Sequence, residues 1–267
     1  VNDEPVATFT TQQAVNEDAS ITGAVTSTDV DTPEGDTATY SHDDAGTIAG
    51  FTFNADGTWS FDASNATYQD LDKDDTLNIT INYTVTDSAN ASSSASFVIV
   101  ITGVNDTPAA TFILAQVATE DGAAVSGNLT ATDIDADAVL AFSLNVPPAG
   151  LTLTGDAWSF DPTDAAYQDL DAGDTVDVTV NYTVTDEHNA SDTNSFVITV
   201  TGVNDAPVAT FTTQQDVNED DTPALTGTLT STDADADDTA TYTHDDVGTI
   251  AGFNLNADGT WSFDQSD

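Results

Sequence analysis

The acidic side chains of this chain fall into groups, and the groups recur. One is Asn16-Glu17-Asp18, repeated as Thr119-Glu120-Asp121 and Asn218-Glu219-Asp220. A second is Thr28-Asp29-Val30-Asp31, repeated as Thr132-Asp133-Ile134-Asp135 and Thr232-Asp233-Ala234-Asp235. A third, Tyr68-Gln69-Asp70-Leu71-Asp72, returns as Tyr167-Gln168-Asp169-Leu170-Asp171, and a fourth, Val85-Thr86-Asp87, as Val184-Thr185-Asp186. The fifth is the Asn-Asp of the string Val-Asn-Asp-x-Pro, at Val1–Pro5, Val104–Pro108 and Val203–Pro207. Two carboxylates spaced Asp-x-Asp in an extended or turning segment aim at one ion. The proline stiffens the boundary string and keeps the residue before it extended. Hard carboxylate and amide oxygens, with no histidine or thiolate nearby, select Ca2+ over zinc or copper.

Composition gives those groups a reason to bind cations. Forty-seven acidic residues face one base, Lys73, for a formal charge of −46 and no arginine. Such a chain repels itself, nucleic acid and anionic membranes alike. It must either stay disordered or fold and neutralise its carboxylates. A hydrophobic fraction of 39 %, with 12 Phe, 6 Tyr and 3 Trp, favours folding. Cysteine is absent, so there is no disulfide framework or thiolate chemistry, and metal is the obvious staple for small modules. No apolar run approaches the ~18 residues of a membrane span. Val1-Asn2-Asp3-Glu4-Pro5 does not resemble a signal peptide. We therefore expect an interior segment of a longer chain, or one exported by a route invisible in the sequence.

The elements that must position these groups are strands in tandem repeats. Trp59, Trp158 and Trp261 keep the same interval as the boundary strings, and Asn54–Asp62 recurs almost unchanged as Asn256–Asp264. The domains expected are residues 1–103, 104–202 and an incomplete third, 203–267, which has no counterpart of Tyr68–Thr102. Leu77–Thr86 and Val176–Thr185 alternate apolar and polar without a break, the mark of a strand with one buried face. Asn54-Ala55-Asp56-Gly57 predicts a hairpin turn before the alternating Thr58–Asp62. Phe97–Ile101 is apolar throughout, as in a central strand. Shorter strands are expected near Ala7–Phe9, Ile21–Ser27, Ala38–Ser41 and Ile48–Asn54, and one helical turn at Tyr68–Leu71. The fold class predicted is all-β, tandem Greek-key β-sandwich domains.

The order Glu-Asp, Asp-x-Asp, Leu-Asp, Val-Thr-Asp, Asn-Asp-x-Pro resembles the layout of cadherin repeats. The combination of Asn-Ala-Asp-Gly-Thr-Trp-Ser-Phe-Asp, Tyr-Gln-Asp-Leu, Tyr-Thr-Val-Thr-Asp and Thr-Gly-Val-Asn-Asp-x-Pro is closer still to the VCBS repeat of bacterial repeats-in-toxin adhesins. That resemblance implies cadherin-like or Ig-like extender domains on the bacterial cell surface or in the extracellular space. It also implies Ca2+ held jointly by neighbouring repeats and their linker. Carried over position by position, the first junction uses Glu17, Asp70, Asp72, Asn105, Asp106, Asp133, Asp135 and Asp186. The second uses Glu120, Asp169, Asp171, Asn204, Asp205, Asp233 and Asp235. The partners implied are calcium and further copies of the same repeat, with no nucleic acid and no membrane insertion.

Other chemistry has little support. There is no nucleophile–His–acid arrangement, phosphate loop or zinc motif. A glycosidase carboxylate pair would have to be duplicated module by module, so no enzyme is expected. The tryptophans sit in alternating strands and are expected in the core rather than on a sugar platform. His42 and His244 precede Asp-Asp, but the second repeat has Ser143-Leu144-Asn145 there, so no repeated histidine site follows. His188 falls in a predicted hairpin loop. The function expected is a calcium-rigidified spacer in cell adhesion or biofilm. The alternatives are a self-assembling filament, whose third repeat is completed by strands of another chain, and a glycan- or partner-binding module.

Overall fold

The computed structural model describes residues 1–31, 37–43, 47–211, 213–219, 223–235, 237–245 and 250–266. The described residues form strands and turns, with no helix. None of it is long, apolar and helical enough to cross a membrane. The strands of the first repeat are β1 (Val6–Ala7), β2 (Gln13–Asn16), β3 (Ser20–Ala24), β4 (Ser27–Thr28), β5 (Thr39–His42), β6 (Phe51–Phe53), β7 (Thr58–Asp62), β8 (Thr76–Thr86) and β9 (Ser92–Thr102). Those of the second are β10 (Ala109–Ala110), β11 (Gln116–Thr119), β12 (Val125–Asn128), β13 (Ala131–Thr132), β14 (Ala141–Leu144), β15 (Leu151–Thr154), β16 (Ala157–Phe160), β17 (Thr175–Thr185) and β18 (Ser191–Thr201). The third contributes β19 (Val208–Ala209), β20 (Leu225–Thr228), β21 (Ser231–Thr232), β22 (Phe253–Leu255) and β23 (Thr260–Phe263). The architecture is all-β, tandem sandwiches.

The chain falls into two compact units whose limits cross the repeats. The first comprises residues 1–111, 130–142 and 183–193; the second comprises 112–129, 143–182 and 194–267. In the first unit one sheet runs β2-β9-β8-β5 and another β3-β7-β6, with the short pair β1-β4 beside them. β8 and β9 pair antiparallel over their full length, from Thr76↔Thr102 to Thr86↔Ser92. Their alternation buries Ile81, Tyr83, Val85, Phe97, Ile99 and Ile101 on the inner face, as period-two patterning requires. Trp59 and Phe61 of β7 close the core from the other sheet. The strands of the later repeats form the sheets β11-β18-β17-β14, β12-β16-β15 and β20-β23-β22. Val180, Tyr182, Phe196, Ile198 and Val200 repeat the buried face.

Glycine opposite tryptophan recurs in each repeat. Gly23, Gly127 and Gly227 pair with Trp59, Trp158 and Trp261 in the antiparallel ladder. A Cβ at Gly23 would lie 2.4 Å from the Trp59 ring, so the indole takes that space and lies buried. Gly57 adopts φ +87° in the turn before β7, as the Asn-Ala-Asp-Gly string predicts. Two expectations are corrected. Tyr68–Leu71 runs through turns rather than a helical turn, with the Tyr68 hydroxyl donating to Ala49 O at 2.9 Å. Ile21–Ser27 is interrupted, forming β3 and β4 in different sheets.

Candidate metal centres

The parallel pairing of β2 with β9 places the first acid. Asn16 lies opposite Thr102, and the Glu17 N–H donates to Thr102 O at 3.1 Å. Glu17 therefore reaches the boundary string Val104-Asn105-Asp106, and its Oε1 accepts the Val104 N–H at 2.5 Å. The second unit repeats this: Glu120 follows β11, donates its N–H to Thr201 O at 3.0 Å, and accepts the Val203 N–H at 2.6 Å. Glu17 is 0 % exposed and Glu120 1 %. A carboxylate so deeply buried in an acidic chain calls for a positive partner.

The loop carrying Asp72 is brought to the same place through Gly103. Gly103 N–H donates to Asp75 O at 2.8 Å and the Asp74 N–H to Gly103 O at 3.1 Å. A Cβ at Gly103 would lie 2.1 Å from Asp72 O, so only glycine permits this approach. Gly202 stands in the same relation to Asp171, where the distance would be 2.3 Å.

The boundary string docks on acids of the repeat that follows it. Asp106 N–H donates to Asp135 Oδ2 at 2.8 Å, and Asn105 Nδ2–H to Asp186 Oδ2 at 2.9 Å. Asp205 N–H donates to Asp235 Oδ2 at 2.8 Å. Asn2 and Asp3 do the same with Asp87 and Asp31, at 2.8 and 2.7 Å. Within each Asp-x-Asp, the first carboxylate accepts the N–H of the last: Asp133 from Asp135 and Asp233 from Asp235, both at 3.3 Å.

Two equivalent clusters result. Glu17, Asp106 and Asp135 bring carboxylate oxygens within 4.8 Å of one another in the first unit; Glu120, Asp205 and Asp235 do so in the second. Asp133 and Asp233 back them, and Asp72 and Asp171 stand close enough to act on Asp135 and on the Asp235 side. Asp238 was not singled out from the sequence, but it forms a further group with Asp233 and Asp235. Asp70 and Asp169 are exposed and lie outside these groups; Asp70 contributes its carbonyl oxygen, which accepts the Ala136 N–H at 3.1 Å. Asn204 is exposed, its side-chain amide turned to Asp205 O.

The buried carboxylates of each cluster repel one another. Burial, then Asp106, Asp135 and Asp18, push the Glu17 carboxyl up against the opposing Val104 hydrogen bond. Burial and neighbouring carboxylates likewise raise Asp106, Asp135, Glu120, Asp171 and Asp205. Asp186 goes the other way. Burial opposes it, but the Asn105 amide and the N–H groups of Ala190 and His188 hold its carboxyl below the ordinary range. Glu17 Oε2, Asp106 Oδ2, Asp133 Oδ2 and Asp135 Oδ1 are buried without a hydrogen-bond partner, as are Glu120 Oε2, Asp171 Oδ1 and Asp235 Oδ1. Native structures seldom leave such atoms unpaired. All are carboxylate oxygens, those of Glu17, Asp106 and Asp135 gathered in one unit and those of Glu120 and Asp235 in the other, and they fit a hard divalent cation.

Residues 2–103 match the family model described as bacterial cadherin-like domain. The solved structures agree over nearly the whole chain. Mouse cadherin-23 EC22-24 is 20 % identical with a TM-score of 0.56, covering 100 % of this chain and 90 % of that one. Human CDH23 EC21-23 is 15 % identical at a TM-score of 0.54, covering 99 % and 91 %. The fold is cadherin-like. Protocadherin GammaB4 is also similar, at 17 % identity and a TM-score of 0.55, but this chain spans only 44 % of its length. No curated protein matches the chain. Each acidic cluster includes the aspartate of a boundary string, Asp106 in one and Asp205 in the other.

One sequence expectation fails here. Histidine is not remote from the acidic groups: His188 Nε2 lies 3.0 Å from Asp72 Oδ1. Nothing local predicts this, because 116 residues separate the pair.

Proposed function

We propose that this chain is a calcium-rigidified extender segment of a secreted or cell-surface bacterial adhesin, structural rather than enzymatic. The observation that carries it is the set of buried carboxylate oxygens without a hydrogen-bond partner on Glu17, Asp106, Asp133 and Asp135, and on Glu120, Asp171 and Asp235. The resemblance to VCBS repeats supports the adhesin context, and the cadherin-like fold supports a tandem extracellular module.

Glu17, Asp72, Asn105, Asp106, Asp133, Asp135 and Asp186 would hold the ions of the first junction. Glu120, Asp171, Asn204, Asp205, Asp233 and Asp235 would hold those of the second, with Asp70 and Asp169 in the flanking loops. Bound calcium would supply positive charge and six to eight oxygen contacts. The chain's own residues do the rest. Gly103 and Gly202 admit the acidic loops, the parallel strands deliver Glu17 and Glu120, and the Asn-Asp strings lock onto the following repeat. Without cations, like charges hold each junction apart. Several sites per junction could then set both the stability and the alignment of small modules.

Thermal unfolding and solution scattering, each with calcium and with chelator, test this. Calcium should raise the melting temperature and lengthen the particle. An unchanged melting temperature together with an unchanged length would sink the proposal. A partner-binding role has one observation in its favour: Phe112, Leu114 and Val117 are large, apolar and exposed. A glycan or protein array would reveal it.

A further inference from the structure

The hairpin between β17 and β18, with Asp72 from the loop before β8, forms a ligand set that the acidic repeats do not share. One donor atom from each of Asp72, Glu187 and His188 lies within 4.8 Å of the others, and the His188 Nε2 to Asp72 Oδ1 distance is 3.0 Å. We propose that these three side chains form a site for a borderline divalent transition ion, with Zn2+ as the reference, which shares Asp72 with the first junction but is a separate group from Glu17, Asp106 and Asp135.

Donor chemistry is the first argument. Calcium takes oxygen ligands, whereas an imidazole with two carboxylates suits zinc and its neighbours in the first transition row. Zinc bonds of ~2.0–2.2 Å place neighbouring donors roughly 3–3.6 Å apart around a tetrahedral ion. The His188–Asp72 pair already has that spacing, and Glu187 holds a carboxylate oxygen within 4.8 Å of both donors. The fourth position is left to water.

The hairpin itself does not require this set. In the first repeat the matching residues are Ser88 and Ala89, and the turn has the same frame: Asp87 Oδ1 accepts the N–H groups of Ala89 and Ala91, both at 2.8 Å. In the second, Asp186 Oδ1 accepts those of His188 and Ala190 at 2.8 and 2.9 Å. Glu187 and His188 are therefore additions to a turn that forms without them.

Each arm is also held in place. Glu187 Oε2 accepts the Val139 N–H at 2.8 Å, which leaves Oε1 for an ion. Asp72 Oδ1 accepts the Lys73 N–H at 2.6 Å. The side chains of His188 and Asp72 are 28 % and 33 % exposed, so an ion can enter from solvent. The imidazole would bind it through Nε2, as the neutral tautomer that carries its proton on Nδ1.

The test is a Zn2+ titration of the full chain by calorimetry, in excess calcium, with histidine-ring nitrogens followed by NMR. The wild type should bind about one zinc tightly, moving the His188 ring signals and not those of His42 or His244. His188→Gln should weaken that binding by ~10-fold or more. Glu187→Gln keeps an acceptor for Val139 and should weaken it in the same direction. Equal zinc binding by wild type and His188→Gln, or an unresponsive His188 ring, overturns the site and assigns the zinc to surface carboxylates. Repeating the titration without calcium separates this result from any failure of the calcium proposal.

Discussion

Val104 donates its backbone N–H to Glu17 Oε1 at 2.5 Å across 87 residues of sequence, and Glu17 Oε2 has no hydrogen-bond partner. One oxygen thus ties the end of β2 to the boundary string. The other is buried with its lone pairs unused, among Asp106 and Asp135. Glu120 and Val203 repeat the arrangement at 2.6 Å. In both places one carboxylate oxygen is held by a backbone N–H and the other is a buried acceptor without a hydrogen-bond partner.

Calcium should stabilise the protein by mass action. Extracellular modules bind calcium with Kd of ~10⁻⁴–10⁻³ M, and at ~100-fold excess each site adds about 2.7 kcal/mol to the native state. Differential scanning calorimetry should show the melting temperature rising with calcium and returning on chelation.

Glu17→Gln separates folding from ion binding. The amide retains an acceptor for Val104 but removes a buried negative charge. In chelator the variant should match or exceed the wild type in melting temperature, and in calcium it should gain less. Glu120→Gln should behave likewise. A Glu17→Gln protein that loses stability in chelator and gains normally with calcium would show the carboxylate to be purely structural.

The pH profile of the metal-free protein has a predictable sign. The carboxyls of Glu17, Asp106, Asp135, Glu120, Asp171 and Asp205 are raised by burial and like charge. They bind more protons in the native state than in the unfolded chain. Stability therefore falls as pH climbs from the ordinary carboxylate range of ~4 through the raised values. Asp56, Asp161, Asp186, Asp192, Asp258 and Asp264 are lowered, so the stability they add is lost as pH falls below that range. Melting temperature in chelator should peak in the mildly acidic range and decline toward neutrality. Calcium should flatten that decline.

Gly23→Ala tests the glycine–tryptophan packing. The new methyl would press into the Trp59 ring at 2.4 Å in a filled core. A loss of about 1–3 kcal/mol is expected for such overpacking, measured by denaturant unfolding followed through tryptophan fluorescence. An unchanged midpoint would mean that the indole can move aside.

Much of the fold was legible in advance, for local reasons. The alternation of Leu77–Thr86 and Val176–Thr185 marked β8 and β17, because a strand with one buried face cannot avoid that pattern. Asn54–Gly57 announced its turn through the positive φ of Gly57. The short strands were less visible. β1 and β4 have two residues each, too few to carry a period.

The sequence by itself determined the repeats, the all-β class, the acid groups and the hardness of the ion they suit, since all of these follow from composition and short spacings. Tertiary structure decided which acids meet. The parallel register of β2 on β9 brings Glu17 to Val104, and Gly103 lets the Asp72 loop approach. The same folding sets His188 beside Asp72, a pairing that no local spacing shows. These pairs lie 87 and 116 residues apart. Contacts at such range arise from sheet pairing and backbone clearance, and neither leaves a mark in the local pattern of residues.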